Sequence, residues 1–195
     1  MIQQQFDSDS AALQDSQPTA SAQEMQNHFD LFHLPQRFTI DASALDSAYH
    51  SVQNQVHPDK FVHASDAEKR VAMQWATRVN EAYKTLKSPF QRAAYLCELN
   101  GVDLQTESNT AMPVAFLMQQ MEWREALDDA RAQKNQTELE ALDAAIRSAR
   151  KTALAEIAQL LDAADFTQAA GLVRQLMFLE KFADEVSNAL DALSD

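Results

Sequence analysis

Few side chains in this sequence have the types and spacing that chemistry requires, and His57 with Asp59 is the leading pair. An imidazole beside a carboxylate can act in acid–base catalysis, which leaves a hydrolase as one alternative. No two of the five histidines have the helical spacing, backed by a carboxylate, that a zinc enzyme requires. Cys97 falls in an apolar helical pattern with Leu96 and Leu99, which indicates core packing rather than a nucleophile. We therefore predict no metal, no cofactor and no enzymatic activity.

The leading pair belongs to a tetrapeptide that separates two helical patterns: His57, Pro58, Asp59 and Lys60. Pro58 cannot donate a backbone hydrogen bond and pushes the preceding residue out of the helical region, so the chain must turn there. Upstream, behind a helix cap at Asp41 or Ser43, apolar residues recur every three or four positions: Leu45, Ala48, Tyr49, Val52 and Val56. The period returns over about residues 66–87: Val71, Trp75, Val79, Ala82, Tyr83 and Leu86. The sequence predicts two antiparallel helices joined by a polar loop.

This arrangement resembles a J-domain, the helical hairpin that presents a His-Pro-Asp loop to a DnaK-type chaperone ATPase. A short opening helix and turn match as well: Phe29, Leu31, Phe32, Leu34 and Pro35. The end of the third helix matches at residues 80–86. The resemblance implies that four residues bind the chaperone: His57, Pro58, Asp59 and Lys60. Asp59 would pair with an arginine of the partner, Pro58 would hold the loop shape, and His57 would supply a directional hydrogen bond.

Beyond the hairpin, the sequence resembles the HscB family, whose members are co-chaperones of iron–sulfur cluster assembly. Five stretches carry the match and extend it over about residues 27–193: 29–32, 57–61, 88–96, 115–122 and 173–181. The resemblance implies delivery of an iron–sulfur scaffold protein (IscU-like) to a dedicated DnaK-type chaperone (HscA-like), with stimulation of its ATPase. The alternative is a general J-protein whose second half is a dimerisation module or binds a different client.

Composition and periodicity favour helix throughout the chain, which has only two glycines and five prolines. In the second half, the pattern predicts helices at about residues 89–99, 113–133, 137–163 and 166–193. Thr137 with Glu140, and Asp165 with Gln168, have the spacing of capping boxes. We expect an all-α protein, with an N-terminal J-domain helical hairpin and a C-terminal antiparallel three-helix bundle.

The formal charge of −13 divides unevenly among the three expected domains. Residues 1–24, a predicted disordered tail, carry −4; the J-domain at 25–88 carries 0; the helical scaffold-binding domain at 89–195 carries −9. The acidic half argues against nucleic acid and suits a basic protein partner. The tail lacks the features of a secretory signal or transit peptide, and no apolar run reaches membrane-spanning length. We expect a cytoplasmic protein that does not contact membranes.

The helix after Pro113 is apolar on two opposite faces, at about 100° per residue. One face has the pattern of a core stripe: Phe116, Trp123, Leu127 and Ala130. The other begins apolar and ends acidic: Val114, Leu117, Met118, Met121, Glu122, Glu125, Asp128 and Asp129. A face that ends in four carboxylates favours a partner, although the bundle could bury both faces. In the last helix, Phe178 and Phe182 are expected to extend the exposed patch.

The resemblance assigns scaffold binding to residues of these two helices: Leu117, Met118, Met121, Glu122, Glu125, Asp129 and Phe178. The J-like region departs from the family pattern, because residues 43–56 contain no Lys or Arg, and Val56 stands where an aromatic residue often precedes the histidine. We therefore expect docking on one dedicated chaperone, through few cations: Arg37, Lys60, Lys69 and Arg70.

Overall fold

The computed structural model describes residues 27–62, 64–104 and 112–194, and the expected N-terminal tail lies outside them. These described residues form seven α-helices: α1 (His28–Leu31), α2 (Ala42–Val56), α3 (Asp66–Lys87), α4 (Pro89–Leu99), α5 (Val114–Gln133), α6 (Gln136–Asp162) and α7 (Phe166–Ser194). A short 3-10 helix, Pro58–Phe61, lies between α2 and α3. The all-α prediction is confirmed, and the helix ends predicted from the sequence lie close to the observed ones.

Side-chain caps fix where the hairpin helices begin. Asp41 caps α2, because its carboxylate accepts hydrogen bonds from the backbone N–H groups of Ser43 at 2.8 Å and Ala44 at 3.4 Å. Ser65 and Glu68 form a reciprocal capping box at the start of α3, in which the Ser65 amide donates to Glu68 at 2.8 Å. Each such cap contributes about 1 kcal/mol to stability. Both hairpin helices therefore begin at a residue that a local cap fixes, and the Ser65–Glu68 box also marks the end of the loop between α2 and α3.

Aromatic and polar contacts hold α2 against α3 at the end of the hairpin opposite the loop. The rings of Tyr49 and Tyr83 stack with centroids 4.1 Å apart, and the Tyr49 hydroxyl donates to Asn80 at 2.9 Å. Asp46 accepts hydrogen bonds from the Tyr83 hydroxyl at 3.0 Å and from the Lys87 ammonium at 2.6 Å. These contacts set the register of the two helices, and so the direction in which the loop points.

One apolar core runs from the hairpin into the C-terminal helices. Buried residues of α1 to α3 in this core are Phe29, Leu31, Leu45, Val79, Ala82 and Leu86. Buried residues of α4, α6 and α7 in the same core are Ala93, Leu96, Cys97, Ile157, Leu161, Ala169, Ala170, Val173, Leu176 and Leu179. A second core lies among α5, α6 and α7 and contains Leu127, Leu139, Ile146, Phe182 and Val186. Helix α4 therefore links the hairpin to the bundle.

The bundle helices are joined by short turns that reverse the chain. Lys134 ends α5 in the left-handed conformation, with a φ of 52°, and the next residue, Asn135, caps α6 by accepting from the Glu138 amide at 3.3 Å. The predicted capping box of Thr137 with Glu140 is therefore wrong. The polar cap comes two residues earlier because Asn135 follows the left-handed residue directly.

The periodic pattern also misplaced one residue of α3. Val71 was expected in the apolar stripe, but it is 53% exposed, whereas its neighbour Ala72 is 3% exposed. At about 100° per residue, Ala72 lies about 20° from buried Val79, while Val71 lies about 80° away. The small alanine fits the closely packed stripe, and the larger valine faces outward.

We predict that Asp46→Asn lowers the melting temperature at neutral pH. Hydrogen bonds from Lys87 and Tyr83 lower the pKa of Asp46 below its usual value of 3.8. A carboxylate with a depressed folded-state pKa stabilises the fold above its unfolded pKa, and this stabilisation is lost as the pH falls through the folded pKa. The difference in melting between wild type and Asp46→Asn should therefore disappear in acid. Asp128→Asn, on exposed α5, is the control; equal melting of wild type and Asp46→Asn at neutral pH would refute the prediction.

Candidate functional site

The tetrapeptide forms a tight turn between α2 and α3. His57 is in the extended region, with φ −61° and ψ 129°, and Pro58 begins the 3-10 helix. The Lys60 amide donates to the His57 carbonyl at 3.0 Å, and the Asp59 amide donates to His57 Nδ1 at 3.3 Å. The turn is closed by its own backbone and imidazole, so its shape does not depend on distant residues.

The side chains of His57 and Asp59 point into solvent. They are 50% and 87% exposed, and His57 Nδ1 lies 3.6 Å from Asp59 Oδ2. Because Nδ1 already accepts the Asp59 amide, a neutral His57 carries its proton on Nε2 and cannot also donate from Nδ1 to the carboxylate. A hydrolytic dyad needs that second bond to orient its base. The geometry therefore suits a presented recognition turn better than a hydrolase site.

The cations expected to assist the turn are only partly brought together. Lys60 lies within the turn, and Lys69 and Arg70 lie in the first part of α3. Arg37 precedes α2, whose 15 residues separate it from the turn by about 20 Å. Arg37 is therefore placed at the other end of the hairpin and does not join this cluster.

The second predicted site forms an open surface on α5, which we call the α5 patch: Leu117, Met118, Met121, Glu122, Glu125 and Asp129. Its apolar members are 43%, 58% and 72% exposed, in that order, and its carboxylates are exposed as well. The opposite face of the helix packs inward through Trp123, Leu127 and Ala130. The two-face interpretation of this helix is therefore confirmed, with one face left open.

The phenylalanines of α7 behave differently from each other and from the prediction. Phe182 is fully buried, stacked between Phe178 at 5.5 Å and Trp123 at 6.3 Å, so its predicted place in the exposed patch is wrong. Phe178 is half-buried and meets Phe116 edge to face at 5.8 Å. The crossing of α5 and α7 buries Phe182 and half-buries Phe178, although a helical wheel of α7 alone places both on the exposed side.

Arg124 is the residue of this region that the sequence analysis missed. Its guanidinium lies 5.5 Å from the ring centre of Phe178 and 5.8 Å from that of Phe182, and 3.8 Å from the Glu185 carboxylate. On the wheel of α5, Arg124 lies about 20° from Leu117, which was the available signal. It covers the aromatic pair beside the α5 patch.

The remaining candidates for chemistry are not assembled into a site. Cys97 is fully buried, and burial raises the pKa of its thiol to about 11, so it is a protonated core residue at neutral pH. Within the described ranges, no three His, Cys, Asp or Glu residues are grouped as a metal ion would require. None of the helices in those ranges combines the length and hydropathy needed to span a bilayer.

A helical hairpin with an exposed His-Pro-Asp turn, joined to an acidic helical bundle, defines a J-domain co-chaperone. The comparisons with known proteins agree with this class. Residues 112–187 match the family model of the HSCB C-terminal oligomerisation domain. A co-chaperone protein HscB homolog of Burkholderia vietnamiensis is 55% identical over 167 residues, which are 86% of this chain and 95% of the relative.

Solved structures give the same result. Chaperone HscB from Vibrio cholerae matches with a TM-score of 0.76 and 36% identity, over 86% of this chain and 99% of that one. Human co-chaperone HscB matches with a TM-score of 0.79 and 25% identity, over 84% of this chain and 81% of that one. The chain therefore belongs to the HscB family of co-chaperones.

We predict that the α5 patch can be truncated without loss of stability. Leu117→Ala and Met118→Ala should shift the free energy of unfolding by only about 0.5 kcal/mol, as expected for exposed positions. Trp123→Ala should cost about 3 kcal/mol, because it removes a ring that packs on buried Phe182. Phe178→Ala should fall between these values, since Phe178 is half-buried. Denaturant unfolding measures all four, and a large loss for Leu117→Ala would show that this face is internal packing.

Proposed function

We propose that this co-chaperone delivers an iron–sulfur scaffold protein (IscU-like) to a dedicated DnaK-type chaperone (HscA-like) and stimulates the ATPase of that chaperone. The observation that carries the proposal is that the chain has two separate open surfaces. The turn at residues 57–60 lies at the tip of the hairpin, and the α5 patch lies on the bundle. A protein that bridges two partners needs both surfaces, and an enzyme does not. The protein carries out no bond chemistry itself.

The chaperone side rests on the geometry of the turn. His57 offers Nε2–H as a donor, and the 87% exposed carboxylate of Asp59 is available to pair with an arginine of the chaperone. Lys60 adds an exposed cation. For stimulation, these groups must bind the hydrolysis-competent state of the chaperone more tightly than its other states, because equal affinity for all states would shift no population.

The scaffold side rests on the composition and exposure of the α5 patch. Methionine side chains adapt to irregular apolar surfaces, and the neighbouring carboxylates suit Lys or Arg at the rim of an interface. Phe178 contributes at the edge, where Arg124 covers its ring. We propose that Leu117, Met118 and Met121 form the centre of this interface. Glu122, Glu125 and Asp129 surround it.

The domain boundaries follow from the same division of labour. We propose a J-domain at residues 25–88 and a scaffold-binding domain at residues 89–195, preceded by a tail at residues 1–24. A cytoplasmic location agrees with a single cysteine and with the absence of a membrane-spanning helix among the described residues.

A second role for the bundle is favoured by the oligomerisation domain named in the matching family model. The bundle would then join copies of this chain or hold a different client, as in a general J-protein. A mass measurement by analytical ultracentrifugation, with and without the scaffold protein, separates this role from scaffold delivery.

We expect His57→Gln to abolish stimulation of the chaperone ATPase. The fold and scaffold binding should be unchanged, because His57 is half-exposed and contributes to neither apolar core. The measurement is steady-state ATP hydrolysis by the chaperone, with scaffold affinity measured in parallel. Wild-type stimulation by His57→Gln would contradict the assignment of the turn.

The salt dependence of chaperone docking should be shallow, because α2 carries no Lys or Arg and few ion pairs can form. Charges in solvent are screened over about 10 Å at 0.1 M salt. Asn54→Lys should steepen the dependence, since Asn54 is exposed near the turn, whereas Ala48 is partly buried against the core and is a poor site. Titrations of ATPase stimulation at several salt concentrations test this. A steep dependence in wild type would mean that the basic surface lies elsewhere.

A further inference from the structure

A small groove lies directly beside the His-Pro-Asp turn, outside the tetrapeptide. Its volume is about 320 Å³, and five residues line it: Asp59, Phe61, Val62, Lys69 and Met73. Ligand pockets for small molecules begin at about 300 Å³. The groove therefore has room for one or two side chains of a partner rather than for a large cofactor.

The walls of the groove are apolar and open to solvent. Val62 is 58% exposed and Met73 is 61% exposed, and Phe61 is half-buried. Isolated apolar residues on a surface need no explanation, but here they share one concave surface with charged groups at the rim. This combination is typical of the centre and rim of a protein interface.

The charged rim connects the groove to the turn. Asp59 belongs to the tetrapeptide and also lines the groove, so a partner that pairs with its carboxylate is in contact with the groove as well. Lys69 lies one helical turn before Met73 on the same face of α3 and adds a cation to the groove lining. The apolar surface is therefore continuous with the proposed chaperone-binding turn.

We infer that this groove is a second docking site for the chaperone ATPase. It accepts an apolar side chain of the chaperone, and a chaperone carboxylate beside that side chain pairs with Lys69. The inference rests on the proposed function and identifies where docking affinity comes from. Helix α2 has no Lys or Arg to supply it by ion pairing, and the groove offers apolar burial instead.

Val71 provides a matched control within the same helix. It is 53% exposed, close to the value for Met73, but lies about 160° around α3 from Met73 and does not line the groove. Glutamine is an unbranched, good helix former of similar length to methionine. The variants are Met73→Gln and Val62→Gln in the groove, Lys69→Gln for the cation of the groove, Val71→Gln as the control, and His57→Gln in the turn.

The full chain is titrated into the chaperone, and the concentration for half-maximal ATPase stimulation is measured at two salt concentrations. We expect Met73→Gln and Val62→Gln to raise it by about tenfold, the effect of losing one strong interface contact. Val71→Gln should leave it unchanged. The loss should persist at high salt, because apolar contacts are not screened, whereas the loss from Lys69→Gln should fade. Thermal melting confirms that each variant is folded.

The remaining outcomes separate the groove from the turn. Unchanged titrations for both groove variants, with stimulation lost in His57→Gln, would overturn the inference and leave the proposed function intact. Equal losses in Val71→Gln would overturn it as well. If a second copy of this chain occupied the groove, Met73→Gln would change the sedimentation of the protein alone and not the titration. Stimulation retained by His57→Gln would overturn both the inference and the proposed function.

Discussion

The packing of helix α4 between the hairpin and the bundle is the interaction on which the two-surface architecture depends. Its buried residues Ala93, Leu96 and Cys97 contact the core that contains Leu86 of α3 and Leu176 of α7. Arg92 reinforces the junction, because its buried guanidinium donates to the Leu86 carbonyl and lies 5.0 Å from the ring centre of Phe38. Burial lowers the pKa of Arg92. Close packing at α4 thus holds the hairpin against the bundle.

This junction has a functional consequence, because it fixes the distance and orientation between the turn and the α5 patch. A flexible tether would let both partners bind but would not orient one toward the other. A shared core fixes the orientation of one partner relative to the other, since packed interiors resist small displacements. In the proposed transfer of a scaffold protein to a chaperone, this co-chaperone therefore holds its two partners at a defined distance, one on each surface. The residues proposed to contact the scaffold protein and those proposed to contact the chaperone lie on different surfaces.

The two faces differ in how strongly the fold constrains them. The turn at residues 57–60 is closed by its own hydrogen bonds, and the capping box at Ser65 follows it at the start of α3. The α5 patch is instead a set of exposed side chains on a helix that is anchored from behind by Trp123 and Leu127. A pre-formed turn loses little entropy on binding, whereas flexible methionines adapt to the partner at some entropic cost. This contrast fits one partner recognised by geometry and another recognised by surface complementarity.

Local rules were sufficient for much of the molecule. The proline predicted the break at Pro58, and the cap residues predicted a cap at Asp41 or Ser43, of which Asp41 is the observed one. The repeat of apolar residues predicted α3, α5, α6 and α7 nearly to their ends. Periodicity also separated the outer face of α5 from its core face. The sequence reasoning failed where two neighbouring positions compete for one stripe, as Val71 and Ala72 do, and where a cap depends on the preceding left-handed residue, as at Asn135.

By itself, the sequence determined the features that depend on spacing along one chain segment: the hairpin, its His-Pro-Asp turn and the apolar-to-acidic face of α5. Only the tertiary structure decided the features that depend on helices meeting. The crossing of α5 and α7 buries Phe182, half-buries Phe178 and places Arg124 over both rings. The groove at Val62 and Met73 likewise exists only because the 3-10 helix folds against α3. A helical wheel reports the direction of a side chain from its own axis, and burial depends on which neighbour lies in that direction.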